Sequence, residues 1–263
     1  MSREGEGERW ALDCVRIAGR ADKPRQQGLT IAADRGLGLN AIDDLLQTSA
    51  AHIDIVKFAM GVTRLMPISV VEARIERYRQ ANIPVFLAGE ISELAATQGV
   101  AVQYFRQIKA MGAWATEVSN AQIALSSTDK TQLIASARDE GLQVIAECGR
   151  KGGVEWAEST ALVAADVQDC LEAGAHRVLI QAEGLNEGVA EVNTRLIQDL
   201  VAQFGVEALI FQAKTSSLIS WFISAFGPQI NLDVDANQVL DLEAQRRGIR
   251  KRGVFGLVYG QST

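Results

Sequence analysis

Residues 114–146 read WATEVSNAQIALSSTDKTQLIASARDEGLQVIA. Trp114–Val118 is a short apolar, β-branched run and predicts a strand. Asp129–Glu140 predicts a helix that stops at Gly141, a residue suited to the left-handed C′ position. Gln143–Ala146 predicts the next strand. Strand, polar loop, helix, glycine and strand make one complete strand–helix unit.

The same alternation recurs on both sides of this stretch. Further strands are predicted at Leu29–Ala33, Ile53–Phe58, Pro84–Leu87, Arg177–Ile180, Ala208–Phe211 and Ile230–Leu232. Between them, Ile68–Gln80 places Val70, Val71, Ala73 and Ile75 against a face of Arg and Glu. Val102–Met111 repeats Val102, Phe105, Ile108 and Met111 at every third residue. Val163–Ala173 ends at Gly174, and Ala236–Arg247 ends at Gly248. Near-continuous apolar strands separated by helices imply a parallel sheet covered on both faces. Eight such units favour closure into a (β/α)8 barrel of the TIM type. No Pro-, Gly- or Ser-rich linker divides the chain, so a single barrel domain over residues 13–263 is expected, after a disordered N-terminus of residues 1–12.

The 263 residues carry a net charge of -6. An acidic surface does not attract phosphate backbones, so no nucleic-acid partner is expected. The local basic run of Arg246, Arg247, Arg250, Lys251 and Arg252 reads as a solvated helix end. Three cysteines, Cys14, Cys148 and Cys170, without CxxC spacing suit free thiols in a reducing compartment. No stretch approaches bilayer length and the first residues, MSREGEGERW, are polar and charged, so no membrane partner and a cytoplasmic location are expected. A homo-oligomer is the expected assembly.

Barrel chemistry sits at the C-terminal ends of the strands. Those ends supply Asp34 and Arg35; Lys57; Glu90; Glu117; Glu147, Arg150 and Lys151; Gln181 and Glu183; Gln212 and Lys214; and Asp233 and Asp235. Lys57, within Ile-Val-Lys-Phe, and Glu117, within Trp-Ala-Thr-Glu-Val, stand out because each interrupts an apolar strand. A charge there either faces the barrel mouth or pairs with a neighbour, since it cannot be buried alone. Gly36-Leu37-Gly38-Leu39-Asn40-Ala41 has the form GxGxxA after a strand, which mimics a dinucleotide loop, although Lys57 stands near where that motif expects an acid. Its simpler reading is a glycine-permitted turn. His52 and His176 fall just before strands and read as structural. Cys148 reads as a small hydrophobe in a loop, and the four tryptophans and Phe105 as core or lid residues.

From about Gly28 to Gly256 the sequence resembles the phosphosulfolactate synthase family. The stretches that carry the resemblance are Asp34 before Arg-Gly, Ile53–Phe58, Glu117-Val118-Ser119, Glu147-Cys148-Gly149-Arg150-Lys151, Leu171-Glu172-Ala173-Gly174-Ala175 and Arg246-Arg247-Gly248-Ile249-Arg250. Members of that family add sulfite to phosphoenolpyruvate with the help of Mg2+. The resemblance implies an enolate-like intermediate, held by metal and cations and then protonated by a lysine. It also implies departures. The family's Asp-Lys-Gly is Asp34-Arg35-Gly36 here, and its Glu-Val-Gly-Lys-Lys is Glu147-Cys148-Gly149-Arg150-Lys151, so an arginine replaces the implied proton donor. Its Gly-Gly-Thr is Ala88-Gly89-Glu90, its Ser-Asp-Gly is Ser119-Asn120-Ala121, and its Glu-Gly-Arg is Gln181-Ala182-Glu183. A seventh-strand Glu is Gln212, and Asp233 and Asp235 follow Asn231-Leu232 where the family is neutral.

These readings predict a lyase. It would catalyse conjugate addition, of the carbon–sulfur type, to a small anionic enoyl or enolpyruvyl acid. Asp34, Glu117 and Glu147 are the expected Mg2+ ligands, with Glu117 and Glu147 also among the catalytic residues. Lys57 and Arg35 would bind the substrate carboxylate, with Arg150, Lys214 and Asn231 as further substrate-binding residues. Lys151 or Lys57 would move the proton. The alternative is a non-catalytic barrel with a stress-related or scaffolding role.

Overall fold

The computed structural model describes residues 10–149, 160–181 and 193–250. Within them, eight short strands run β1 Thr30–Asp34, β2 Ile55–Phe58, β3 Val85–Leu87, β4 Ala115–Val118, β5 Gln143–Cys148, β6 Arg177–Ile180, β7 Leu209–Gln212 and β8 Leu232–Asp235. They pair in parallel in sequence order, and β1 closes on β8. The fold is a single-domain (β/α)8 barrel. Helices α1 Leu39–Ser49, α2 Ile68–Gln80, α3 Gly89–Thr97, α4 Ala101–Ala110, α5 Ser127–Asp139, α6 Thr160–Glu172, α7 Thr194–Ala208, α8 Ser216–Phe226 and α9 Val239–Arg246 cover it. Gly141, Gly174 and Gly248 all take positive φ just past a helix, as their positions in the sequence require.

Two apolar cores result from strand alternation. One lies between sheet and helices. The other fills the barrel with Leu29, Ile31, Ile55, Phe86, Ala115, Ile145, Leu179 and Ile210. Stepping two residues along each strand from this inner layer leads to Ala33, Lys57, Glu117, Glu147, Gln181 and Gln212. The barrel is thus dry below and polar above, and the polar layer floors the mouth.

Seven of the eight strands differ from their sequence-based bounds, β6 alone keeping them, and two of the shifts bear on the site. β1 runs through Asp34 rather than ending at Ala33, and β8 begins at Leu232 rather than Ile230. The first places Asp34 on the outward face, and the second leaves Asn231 before β8. The N-terminal face is closed by residues outside the strands. Lys23 donates to the carbonyls of Ala50 and Ile53, and Arg25 pairs with Asp54 at 2.9 Å. Arg246 is buried there and donates to the carbonyls of Pro228 and Leu29. It is therefore a plug for the barrel base and not a solvated helix end, because its guanidinium is buried and donates to two carbonyls at the strand entries. Lys251 and Arg252 lie outside the described residues.

Candidate active site

The mouth holds a cavity of about 480 Å³. Lys57 from β2 and Glu117 from β4 meet at its floor, with Nζ 2.7 Å from Oε2. Asp233 from β8 lies 3.9 Å from the same ammonium on the other side. All three are almost fully buried. Burial alone would push the Lys57 ammonium down, but Glu117, Asp233 and Glu147 outweigh it, and the net shift is upward. Lys57 is a permanent cation at physiological pH. Burial is the largest influence on Glu117 and drives its carboxyl up to about 8; Lys57 opposes that shift, and Glu147 and Glu90 add to it.

Glu117 is held from a second direction. Its Oε1 accepts the backbone N–H of Gly89 at 2.7 Å, at the start of α3. A Cβ on residue 89 would stand 2.4 Å from Cβ of Ser119 and 2.9 Å from Glu117 Oε1, so only glycine lets α3 begin this close. One turn into α3, Glu93 accepts N–H bonds from Ala121, Gln122 and Ile123 and fixes the loop after β4. Ser119 bridges Glu93 to Glu147, with 2.8 Å to Glu147 Oε2.

At the β7–β8 side the cations are already committed. Lys214 Nζ lies 2.8 Å from Asp233 and 3.7 Å from Asp235. Arg35 lies 2.9 Å from Asp235. Gln212 donates to Asp233 at 3.3 Å.

Of the residues expected at the mouth, Lys57, Glu117, Glu147, Arg35, Lys214, Glu90, Gln181, Gln212 and Asp233 line the cavity. Arg150, Lys151 and Glu183 lie outside the described residues. Two expected site residues are elsewhere. Asp34 points outward from β1. Its carboxylate accepts the N–H groups of Gly36 and Leu37, the hydroxyl of Tyr78 and the guanidinium of Arg74, all within 3.0 Å. Asp34 is therefore not a metal ligand of this mouth, because it faces the helical layer and its lone pairs are used. The same bonds take up the first two amides of the glycine turn, those of Gly36 and Leu37, which fits a structural turn. Asn231 also fails as a substrate residue. It precedes β8 at the opposite end of the barrel, where it accepts from Leu29 N–H and donates to the carbonyls of Val206, Glu207 and Leu209. Three further positions behave differently from expectation. Cys148 closes β5 and is not in a loop. Trp10 is 64% exposed and so is not core, whereas Phe105 is buried. His52 and His176 sit at the N-terminal side, beside Glu243 and Trp114 respectively.

Comparison with known proteins decides what kind of barrel this is. Residues 18–252 match the family described as (2R)-phospho-3-sulfolactate synthase (ComA). The chain belongs to the phosphosulfolactate synthase family. It is 30% identical over 243 residues to the phosphosulfolactate synthase of Methanothermobacter thermautotrophicus, covering 88% of this chain and 93% of that protein. It is 24% identical to Protein HEAT-STRESS-ASSOCIATED 32 of Arabidopsis thaliana, over 86% of this chain and 88% of that one. The phosphoenolpyruvate phosphomutase of Streptomyces platensis subsp. rosaceus superimposes with a TM-score of 0.53 at 13% identity, covering 82% and 79% of the two chains, which is a likeness of fold. The synthases place this phosphosulfolactate synthase relative among lyase-like proteins. Among the described residues, no helix is long and apolar enough to cross a membrane.

Glu93 and Ser119, which line the cavity, and Gly89, which anchors Glu117, are among the residues that strand ends alone do not assign a role. Gly89 and Glu93 belong to a helix, and Ser119 was visible only as part of a matching stretch. The one available signal is Glu93 three residues after Glu90, a spacing that places both on one side of a helix.

Proposed function

We propose that this barrel adds a sulfur nucleophile of the sulfite class to a small, unphosphorylated enoyl or enolpyruvyl acid. The observation that carries the reading is the pairing of Arg35 with Asp235 and of Lys214 with Asp233. Two cations and two carboxylates leave no net positive charge where barrels commonly seat phosphate. A phosphate dianion would have to displace a carboxylate from each cation. A singly charged carboxylate asks for less, and Lys57 stands at the cavity floor to receive it.

In the addition, the sulfur lone pair forms a C–S bond to the β-carbon, and the π electrons move toward the substrate carboxyl. Lys57 stabilises that negative charge as a fixed cation. Because its own proton is held by three carboxylates, the proton for the α-carbon comes instead from Lys151, which recovers it from water. The sum is one sulfite and one proton added across the double bond. Glu117 orients Lys57 and is itself fixed by Gly89.

Hard oxygen donors suit Mg2+. Among the described residues Oε2 of Glu90 is buried in the mouth with no hydrogen-bond partner, so the donor set fits such an ion. Glu90 and Glu147 would hold it, with Glu117 behind them, and it would supply electrophilic stabilisation of oxygen-borne charge.

A thermal-shift series tests the reading, since a ligand that binds the folded state raises its stability by mass action. Mg2+ with an unphosphorylated enoyl acid is expected to give a larger shift than Mg2+ with phosphoenolpyruvate, and sulfite is then consumed with the former. An equal or larger response to phosphoenolpyruvate or phosphosulfolactate would overturn the altered substrate. No response to any of them would favour a non-catalytic, stress-related role; the name of the Arabidopsis relative speaks for the stress association alone.

A further inference from the structure

On the outer side of β5, away from the mouth, Cys148 faces Cys170 of α6 with the two sulfurs 3.8 Å apart. Both side chains are fully buried. Lys130 of α5, also buried, reaches the Cys148 sulfur. Its ammonium holds both oxygens of Asp166 at 2.9 and 3.0 Å, donates to the carbonyl of Glu147 at 2.8 Å, and lies 3.6 Å from the Cys148 sulfur and 3.4 Å from Asn120 Oδ1. Asp166 sits one turn before Cys170 on α6 and is partly exposed, so the cluster has a polar edge toward solvent.

The ligand atoms of Cys148, Asp166 and Cys170 lie within 4.8 Å of one another, close enough for a metal ion. The ammonium of Lys130 already supplies the positive charge there, and an incoming cation would have to displace it from a buried position. The same ammonium favours a thiolate at Cys170, whereas burial holds the Cys148 thiol well above its ordinary range, so Cys148 stands as the sulfur that resolves an oxidised Cys170.

We propose that Cys148 and Cys170 form a peroxide-reactive thiol pair that closes to a disulfide between β5 and α6. The sulfur of Cys170 attacks one oxygen of hydrogen peroxide, an S–O bond forms, the O–O bond breaks and hydroxide leaves. The sulfur of Cys148 then attacks the Cys170 sulfenic acid, the S–S bond forms, the S–O bond breaks and water leaves with the thiol proton. Two thiols are oxidised and one peroxide is reduced to two waters. Closure needs the sulfurs about 2.05 Å apart, so β5 and α6 approach by less than the width of an atom. The order of attack follows the environment. A hydrogen bond from Cys148 and the nearby Lys130 hold the Cys170 thiol below its ordinary range against the effect of burial. The link would bind the end of β5 to α6 one residue from Glu147. None of this depends on what the mouth turns over.

The test uses the reduced full-length chain and hydrogen peroxide. After treatment, free thiols are alkylated in denaturant and peptides are read by mass spectrometry. A peptide pair joined through residues 148 and 170, two hydrogens lighter than its parts, is expected, with Cys14, which is exposed, as the internal gauge of oxidant delivered. Cys148→Ser is expected to abolish the link and drive Cys170 to higher oxides. Lys130→Met is expected to slow linking about tenfold. The proposal fails if Cys14 is oxidised while Cys148 and Cys170 both remain alkylatable. It fails equally if both oxidise with no joined peptide. Because the decisive result comes from the unaltered protein, a variant that does not fold leaves the test intact.

Discussion

Lys57 on β2 and Glu117 on β4 meet at 2.7 Å across the short intervening strand β3, and Asp233 closes on the same ammonium from β8. The three side chains therefore share one buried charge balance. Removing one partner of a buried pair costs about 3–5 kcal/mol, because the other charge is left uncompensated. Lys57→Met is expected to lower unfolding stability in urea by that amount, and Lys57→Met with Glu117→Met by less than the sum of the two single changes. Additive losses in this double-mutant cycle would show that the pair is not coupled.

The same balance sets a pH response. Glu117 has its carboxyl raised to about 8 in the folded chain from an ordinary value of 4.5. The folded state then binds a proton that the unfolded state releases between those values. Its contribution to stability is complete below pH 4.5 and is lost as pH rises through about 8. Carbon NMR of the Glu117 carboxyl in metal-free protein is expected to titrate near 8, and Lys57→Met to move that titration higher. A midpoint near 4.5 in the unaltered chain would contradict the burial account.

Lys57 and Glu117 were legible in the sequence because a charge inside an apolar strand has few places to go. Asp34 and Asn231 depart from expectation for two different physical reasons. Side chains alternate across a strand, so an error of one residue in a strand's limit moves a side chain to the other face. Extending β1 through Asp34 puts that carboxylate among Arg74 and Tyr78, whereas Asn231 shares the inward face of Asp233 but stands two residues earlier, at the barrel base. The eight-unit barrel itself survived such slips, because it depends on the order of apolar runs and not on their exact limits. Glu93 escaped notice because its role arises from a helix folding back over the loop after β4, a contact that no local pattern encodes.

Asp34 and Asn231 should accordingly act on stability alone. Asp34→Asn leaves the buried guanidinium of Arg74 without its counter-charge and is expected to cost about 3–5 kcal/mol. Asn231→Ala leaves the Leu29 N–H and several carbonyls short of partners and is expected to cost about 1–3 kcal/mol. Neither is expected to change Mg2+ affinity by calorimetry, whereas Glu90→Gln is expected to weaken it. Loss of Mg2+ binding in a folded Asp34→Asn protein would return that residue to the metal site.

The paired cations of the mouth offer the sharpest check on substrate choice. Arg35 is half-exposed and its partner Asp235 partly so, which makes their pairing easy to break without unfolding the barrel. Asp235 also caps the turn that follows β8, so Asn is the replacement that keeps a capping side chain. Asp235→Asn frees Arg35 and removes one negative charge from beside Lys214. Phosphoenolpyruvate is then expected to bind about tenfold more tightly, a gain of about 1.4 kcal/mol, while an unphosphorylated enoyl acid gains little. Calorimetric titration of both ligands against both proteins measures the difference. Equal gains would mean that the substitution only raised the general positive charge of the mouth. No gain for phosphoenolpyruvate would mean that Asp235 does not guard the phosphate position, and the preference for an unphosphorylated acid would lose its physical basis.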